Sequence, residues 1–242
     1  MKIAKMSDIG KTRKMNQDAC ASGSFPDGTV WAVVCDGMGG AASGDVASTT
    51  AVKILSDRIN ASYREGMSAN SVRSLLFSAI EAANDVVFEM AESNIEFNGM
   101  GTTVVASVIS GGKVYIAHAG DSRAYRITKD SISQLTKDHS MVQAMVDRGQ
   151  ITQEEAKDHP KKNIITRAVG VEPNILIDFC EEEISQGDLL LICTDGLTNT
   201  VDDEIILALS KEYDCFELSE KLVEAANNNG GYDNITVVLI AY

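Results

Sequence analysis

The sequence predicts an α+β fold in which two antiparallel β-sheets pack together and helices cover them. Short apolar runs separated by glycine turns indicate antiparallel strands in the middle of the chain. Paired amphipathic helices precede and follow these strands, and no strand separates the first pair, which argues against a βαβ order. The 242 residues contain no Pro/Ser-rich linker and no repeat. We therefore expect one domain spanning 1–242.

The first third of the chain is predicted to contain one buried strand and two helices. Residues 30–35 form a short apolar run, which favours a strand buried on both faces. Residues 45–59 and 69–92 instead repeat their apolar side chains with the spacing of one helix face.

The middle and last parts of the chain are predicted to alternate between strands and helices. Gly111-Gly112 is a hairpin signal between two of these strands. Thr200 and Asp203 are predicted to form a capping box at the start of a later helix. The predicted strands are 102–110, 113–119, 122–128, 176–183, 188–194 and 235–241, and the predicted helices are 140–148, 152–158, 202–210 and 215–227.

Composition excludes several classes of function. A net charge of −14 argues against a nucleic-acid partner and against anionic membrane surfaces, because both are bound mainly through Lys and Arg. The first residues lack the apolar core of a signal peptide, and no apolar run approaches the roughly 20 residues of a membrane span. Five widely spaced cysteines without a C-x-x-C motif favour a reducing compartment, so we expect a cytoplasmic protein.

One motif points to a nucleotide fold, and its surroundings exclude that fold. Residues 37–42 match the G-x-G-x-x-A pattern of dinucleotide-binding proteins. Asp36 would then place a negative charge beside the pyrophosphate, and no second strand with an acidic end follows the helix. A P-loop is excluded because the segment lacks the Lys-Ser/Thr pair.

Aspartates recur where apolar strands end. Any one of these dipeptides is an ordinary turn, but a carboxylate beside a buried strand is costly to desolvate unless a cation meets it. Carboxylate and carbonyl oxygens without thiolate or imidazole favour Mg²⁺ or Mn²⁺ over zinc. The four dipeptides are Asp36-Gly37, Gly120-Asp121, Asp195-Gly196 and Asp233-Asn234.

Arg13 is the candidate phosphate ligand. It lies in the segment 7–18, which mixes cations with carboxylates and has little apolar periodicity. A single arginine is usually a solvated surface residue. Beside a metal cluster, its guanidinium would be a fork-shaped clamp for phosphate.

Eight short motifs occur in order along the chain. They are Ser-Asp-x-Gly-x-x-Arg-x-x-Asn-Gln-Asp (7–18), Asp-Gly-Met-Gly-Gly (36–40), Gly-Thr-Thr (101–103), Ala-Gly-Asp-Ser-Arg-Ala-Tyr (119–125), Leu-Thr-Lys-Asp-His-Ser (135–140), Thr-Arg-Ala-Val-Gly (166–170), Cys-Thr-Asp-Gly-Leu (193–197) and Asp-Asn-Ile-Thr (233–236). Together, in this order, they resemble the metal-dependent serine/threonine protein phosphatases of type 2C (PPM), in their compact bacterial form. The resemblance covers essentially the whole chain.

The resemblance implies a central β-sandwich flanked by helix pairs, in four layers α/β/β/α, with two bound Mn²⁺ or Mg²⁺ ions. Asp36 would bridge the ions, and the Gly37 carbonyl would bind one of them. Asp195 and Asp233 would hold the first ion. Asp18 would support the second, through water.

The resemblance also implies a third, weaker metal site and a substrate-selecting flap. The third metal would lie between Asp121 and Asp195, and the flap would span about 137–167. A water bridging the two ions would attack phosphorus directly while Arg13 and the ions stabilise the transferring oxygens. The substrates would be proteins phosphorylated on serine or threonine, in partnership with a cognate kinase, and the family suggests a monomer.

The chain departs from the family at the general acid. Many members have a histidine at the position of Met38 or of Ala41. Loss of a general acid costs about 10²–10⁴-fold when nothing replaces it. His118 and His139 are expected to be structural, so our hypothesis is that a metal-bound water protonates the leaving group.

Three other readings remain. A catalytically inactive, phosphoprotein-binding relative would normally have lost a metal aspartate or the phosphate arginine, and this chain keeps both. The net charge and the motif order oppose a nuclease or a nucleotide phosphatase. A purely structural acidic sandwich would leave Asp36 and Asp195 without a reason to lie beside buried strands, and metal titration distinguishes that case.

Overall fold

The computed structural model describes residues 1–39 and 43–242 and contains two antiparallel sheets that pack face to face. Gly40, Ala41 and Ala42 lie outside the described residues, and the Ala41 position of the metal loop is among them. The strands are β1 (Lys2–Asp8), β2 (Asp18–Ser24), β3 (Val30–Met38), β4 (Gly101–Thr102), β5 (Val104–Ser110), β6 (Lys113–Ala119), β7 (Arg123–Ile127), β8 (Ile132–Gln134), β9 (Asp178–Glu183), β10 (Leu189–Cys193) and β11 (Ile235–Ala241).

The first sheet has the strand order β1-β11-β10-β7-β8, and the second has the order β2-β3-β5-β6-β9, with β4 paired to the end of β3. Two long helices cover the second sheet and two cover the first. The expected α/β/β/α layering is thereby confirmed. The helices are α1 (Ser43–Ser62), α2 (Ala69–Ser93), α3 (Met141–Asp147), α4 (Gln153–Lys157), α5 (Asp195–Thr198), α6 (Asp203–Glu212) and α7 (Cys215–Asn228).

The apolar run in β3 reflects burial on both faces of its strand. Val34 belongs to the apolar layer between the two sheets. Cys35, the next residue, points to the other face and packs beneath α1 and α2. Because successive strand side chains alternate between faces, a strand that is covered on both sides needs apolar residues at every position.

Apolar periodicity in the sequence does not predict three of the strands. β1 and β2 have mostly partly exposed residues, and β8 is three residues long. Pairing recruits them: β1 adds to β11, β2 adds to β3, and β8 adds to β7. In addition, the strand predicted at 102–110 is divided at Thr103 into β4 and β5.

The predicted capping box at Thr200 and Asp203 is wrong. Helix α6 begins after Asp202, whose side chain makes no cap hydrogen bond. The Thr200 hydroxyl donates instead to the carbonyl oxygens of Gly196 and Leu197, because it still belongs to the turn that ends α5. A complete capping box occurs on α4, between Thr152 and Glu155.

The two glycine turns that flank β6 have different roles. Gly111-Gly112 closes the β5–β6 hairpin with positive φ angles of 59° and 77°, as a type I′ turn requires. Gly120-Asp121 instead carries the chain from one sheet to the other, since β6 and β7 lie in different sheets. Across residues 1–39 and 43–242, no helix has the length and apolarity needed to span a membrane.

Candidate active site

Strand ends from both sheets meet at one end of the sandwich, where they enclose a cavity of about 250 Å³. Six of the seven residues predicted for the site line this cavity, and Asp18 lies next to it. Asp18 is buried on β2 directly opposite Asp36 on β3, so the two carboxylates share a face of the second sheet. The six lining residues are Arg13, Asp36, Gly37, Asp121, Asp195 and Asp233.

Gly37 allows β3 to pass close to the first turn of α1. A β-carbon on Gly37 would lie 2.0 Å from the carbonyl oxygen of Gly44 and 2.5 Å from that of Gln17. Both neighbours are backbone atoms that cannot rotate away. Gly37 is therefore required at this point, because the neighbouring backbone atoms leave no room for a side chain.

Thr103 connects Asp36 to the turn that carries Asp121. Its hydroxyl accepts a hydrogen bond from the Asp36 amide at 2.9 Å, and its own amide donates to the Asp36 carbonyl at 2.9 Å. The same hydroxyl shares a 2.7 Å hydrogen bond with Ser122, the residue after Asp121. One threonine thus holds the backbone of Asp36 and the turn that carries Asp121.

Thr194 makes the corresponding connection between the sheets. Its hydroxyl donates to Asp18 Oδ2 at 2.9 Å and accepts the amide hydrogen of Thr236 at 3.0 Å. Thr194 is fully buried and directly precedes Asp195. The position of Asp18 is therefore tied to the strand end that carries Asp195.

Arg13 lies at the rim of the cavity and reaches back to a carboxylate. Its Nη2 is 2.7 Å from Asp233 Oδ2, and both side chains keep contact with solvent. This hydrogen bond, followed by the charges of Asp233, Asp36 and Asp195, raises the pKa of Arg13. A permanently charged fork therefore faces the carboxylate cluster.

The carboxylates have strongly perturbed proton affinities. Burial raises the pKa of Asp18 to about 7 and that of Asp195 to about 6, and neighbouring aspartates add to both shifts. Burial and the charge of Asp195 raise the pKa of Asp121 to about 8. The pKa of Asp36 is also well above its usual range, because of burial and then the charges of Asp18 and Asp195. Four acids in mutual repulsion indicate a site built for positive charge.

The residues present fit a hard divalent cation. Asp18 Oδ1 and Asp195 Oδ1 are buried side-chain oxygens that find no hydrogen-bond partner within the described parts of the chain. Buried acceptors are normally satisfied, so two orphaned carboxylate oxygens in one cluster call for a ligand. The surrounding donors are carboxylate and carbonyl oxygens, which Mg²⁺ and Mn²⁺ prefer.

The sequence has Met38 at a position where a general-acid histidine was considered, and the structure places this methionine in the cavity wall. Among the described residues that line the cavity none is a histidine, and Met38 lies in the wall. Its methyl group packs toward Gly101, where a β-carbon would lie 2.8 Å away from it. Met38 therefore contributes an apolar surface to the wall and no proton donor.

His139 has a backbone-holding role near the site. Its amide donates to the Gly120 carbonyl at 2.9 Å, and its Nδ1 accepts the Gly120 amide hydrogen at 3.1 Å. On the other side its Nε2 lies 3.2 Å from Asp178 Oδ2, and the Arg167 guanidinium donates to Asp178 Oδ1 at 2.6 Å. Burial lowers the pKa of His139. The ring fixes the residue before Asp121 from outside the cavity.

His118, His139 and Asp178 also have the donor atoms of a metal site, but their arrangement does not suit one. The two imidazole rings are stacked 4.8 Å apart with only 6° between their planes, so their lone pairs do not converge on one point. Arg167 already supplies a positive charge beside His139 and Asp178.

A second cavity, of about 530 Å³, lies near the opposite ends of β7 and β10. Asp130 is the single carboxylate among its lining residues, which include Lys129 and Lys211. The larger volume therefore lacks the charge convergence that marks the first cavity.

Sequence reasoning missed the residues that hold the site together. Thr103, Thr194 and Asn234 lie within the quoted motifs, but no role could be attached to them. The available signal was their position in the chain. Thr103 lies beside a strand that pairs with the strand of Asp36, Thr194 precedes Asp195, and Asn234 follows Asp233. Which backbone groups they contact is decided by strand pairing, which a single sequence does not display.

Comparison with known proteins agrees with this geometry. Residues 10–239 match the family described as protein phosphatase 2C. The serine/threonine phosphatase stp of Listeria innocua is 39% identical over 238 residues, covering 97% of this chain and 93% of that protein.

Solved structures give the same result at the level of the fold. The S. agalactiae serine/threonine phosphatase superposes with a TM-score of 0.93 at 34% identity, covering 99% of this chain and 98% of that one. The catalytic domain of the serine/threonine protein phosphatase PstP, solved with two manganese ions, superposes with a TM-score of 0.85 at 32% identity, covering 98% and 96%. The chain therefore belongs to the protein phosphatase 2C family and is a serine/threonine phosphatase of that type.

Proposed function

We propose that this phosphatase removes phosphate from phosphoserine and phosphothreonine in proteins, using two Mn²⁺ or Mg²⁺ ions held by the aspartates of the cavity. One observation carries the proposal. Buried carboxylate oxygens of Asp18 and Asp195 lack a partner among the described residues, while Arg13 faces the same cavity from its rim. The aspartates that line the cavity can bind metal ions, and Arg13 at its rim can bind a phosphate dianion next to those ions.

The proposed ligand set follows the position of each carboxylate. Asp36, at the centre of the cluster, would bridge the two ions, with the Gly37 carbonyl on one of them. Asp195 and Asp233 would hold the first ion, and Asp18, buried opposite Asp36 on β2, would support the second. The charge of Asp195 raises the pKa of Asp121, and these two residues would hold a third ion.

When bound, the ions supply the positive charge and the activated water that direct displacement at phosphorus needs. The protein's own residues orient the substrate. Arg13 presents two donors to the phosphate oxygens, and Thr103 and Thr194 fix the carboxylates so that little reorganisation is needed during the reaction. Met38 excludes water from part of the wall without offering a proton. We therefore expect the dependence of kcat on pH to lack a limb caused by a histidine.

The proposed substrates are phosphorylated proteins, and a cognate Ser/Thr kinase is the proposed opposing partner. Asn163 and Ile165, which belong to the segment 137–167, line the cavity together with the carboxylates. This position supports a role for that segment as a substrate-selecting flap of a single domain spanning 1–242. We also propose that the protein acts as a monomer in the cytoplasm, where its five free cysteines would stay reduced.

The test is phosphate release from a phosphothreonine peptide while Mn²⁺ is titrated, with a chelator control. Asp36→Asn should lower metal-dependent turnover by about 100-fold or more, because several kcal/mol of charge stabilisation depend on the ions. Asp57→Asn is the matched control, since Asp57 is an exposed residue of α1 that pairs with Lys53. Full turnover in the presence of chelator, or an unaffected Asp36→Asn variant, would contradict the proposal.

A further inference from the structure

The buried side chain of Asn234 uses both ends of its amide to hold the segment 9–17. Its Nδ2 donates to the carbonyl oxygens of Ile9 at 2.9 Å and Met15 at 3.0 Å. Its Oδ1 accepts the amide hydrogen of Gln17 at 2.8 Å. Asn234 is only 4% exposed, so water does not compete for these bonds.

These contacts lie on both sides of Arg13 in the chain. Since one nitrogen holds the carbonyls of Ile9 and Met15, the two ends of the loop are fixed relative to each other. The Arg13 side chain itself is 49% exposed, and Asp233, the residue before Asn234, is the side chain that pairs with it among the described residues. The reach of Arg13 toward the cavity therefore depends on the backbone that Asn234 holds.

Asn234 is itself anchored to the rigid part of the fold. It directly precedes β11, which is paired on both edges, with β1 and with β10. Its carbonyl oxygen lies so close to Gly196 that a β-carbon there would be 2.0 Å away. The anchor therefore belongs to the same backbone that carries Asp233 and Asp195.

Other bonds also hold the loop around Arg13. The Gly231 carbonyl accepts the amides of Lys11 and Thr12, both before Arg13. Asn16 donates to Ser7 Oγ at 2.8 Å, a bond that also spans Arg13 but lies at the exposed surface, where water competes for it. Asn234 spans Arg13 with buried hydrogen bonds.

We propose that Asn234 is a positioning residue for Arg13. By holding the loop backbone, Asn234 fixes the distance between the Arg13 guanidinium and the carboxylate cluster. It thereby couples phosphate binding to the segment that carries the proposed metal ligand Asp233. This inference rests on the proposed role of Arg13 as the phosphate clamp. The Asn234 side chain acts through the loop backbone and does not itself contact the phosphate.

The test is a double-mutant cycle on the Mn²⁺-loaded enzyme, with inhibition by inorganic phosphate as the readout. Asn234→Asp keeps the acceptor for Gln17 but places an oxygen against two carbonyl oxygens. It should weaken phosphate inhibition by about 10-fold or more, the scale of one charge-assisted hydrogen bond. In an Arg13→Ala background the same change should have an effect of less than about twofold.

Two further measurements separate positioning from general damage. Trypsin should cleave Asn234→Asp faster than the unchanged protein after Lys11, Arg13 or Lys14, while calorimetry should still detect two Mn²⁺ ions. Asn229→Asp is the control for charge, because Asn229 contacts the Thr200 carbonyl on the surface. If Asn234→Asp does not fold, Asn234→Ser replaces it, since a serine hydroxyl is too short to reach both carbonyls.

The outcomes distinguish this inference from the function on which it depends. If Arg13→Ala leaves phosphate inhibition unchanged, the clamp role of Arg13 is wrong. If Arg13→Ala weakens inhibition but the Asn234 variants do not, or if the two effects simply add, the positioning role of Asn234 is wrong. Loss of Mn²⁺ binding in both Asn234 variants would also overturn it, because the residue would then act through the metal ligands.

Discussion

Arg13 Nη2 lies 2.7 Å from Asp233 Oδ2, so the proposed phosphate clamp is hydrogen-bonded to a proposed metal ligand. The same carboxylate would thus share its charge between a guanidinium and an ion. This arrangement places phosphate and metal next to each other without an intervening residue. It also means that the two binding events respond in opposite directions to the loss of Arg13.

Arg13→Ala should strengthen Mn²⁺ binding while it weakens phosphate binding. Removal of a positive charge from the rim should tighten metal binding roughly fivefold, the effect of a solvent-exposed ion pair worth up to about 1 kcal/mol. Calorimetric Mn²⁺ titration and phosphate inhibition measure the two effects on one sample. Arg64→Ala is the control, because Arg64 is exposed and bonds only neighbouring carbonyl groups within the described chain. Weaker Mn²⁺ binding in Arg13→Ala would contradict this account.

The metal-free protein should lose stability as the pH rises from 6.5 to 8. Burial raises the folded-state pKa of Asp18 to about 7 and that of Asp121 to about 8, far above their unfolded values. The folded state therefore binds more protons than the unfolded state in this window, and its free energy of unfolding falls as those protons leave. His118 and His139 have lowered pKa values and act below this window.

Urea unfolding of chelator-treated protein measures the effect, which should be on the order of 1–3 kcal/mol. Saturating Mn²⁺ should reverse the trend, because ligands must be deprotonated to bind metal. A metal-free protein whose stability is flat or rises over this pH range would show that the carboxylates do not repel one another as described.

His139→Ala should lower kcat without removing an acidic limb from the pH profile. The alanine leaves the Gly120 amide without its acceptor and loosens the turn that carries Asp121. His139→Asn is the matched variant, because its Oδ1 can take the place of Nδ1, and it should recover most of the activity. A histidine limb in the original profile that disappears in both variants would instead make His139 the proton donor.

Thr194→Val should destabilise the fold and weaken Mn²⁺ binding. Valine has nearly the same shape but leaves Asp18 Oδ2 without its donor and the Thr236 amide without its acceptor. Unsatisfied buried groups of this kind cost about 1–3 kcal/mol each. Thr194→Ser keeps the hydroxyl and should behave almost like the original in urea unfolding and in Mn²⁺ titration. Equal effects of the two substitutions would show that the methyl group, and not the hydroxyl, matters here.

Local patterns in the sequence were sufficient for the elements that bury a face. The strand predicted at 113–119 and the last strand at 235–241 have the observed limits, because each is a continuous apolar run that begins directly after turn residues, Gly111-Gly112 and Asp233-Asn234. Helices at 45–59 and 69–92 were predicted within three residues at each end. β1 and β2 were not found, since an edge strand is stabilised by a neighbour that lies far away in the chain.

At the candidate site, the sequence predicts the functional side chains but not the contacts that hold them. Residue types and dipeptides were enough to single out Asp36, Asp121, Asp195 and Asp233 as carboxylates beside buried strands. The mixed charges of the segment 7–18 singled out Arg13, and the ordered motifs added Asp18. What Thr194 and Asn234 contact could not be predicted, because their partners lie 176 and 225 positions away.

The apolar layers, the turns and the identity of the oxygen donors can be predicted from local sequence, because each of these is set by neighbouring residues. Folding of the whole chain is needed to place Asp18 opposite Asp36, to link the two sheets through Thr194 and to bring Asn234 to both sides of the Arg13 loop. Such contacts depend on the register of paired strands and on two sheets meeting at one end. These relations exist only once the whole chain has packed.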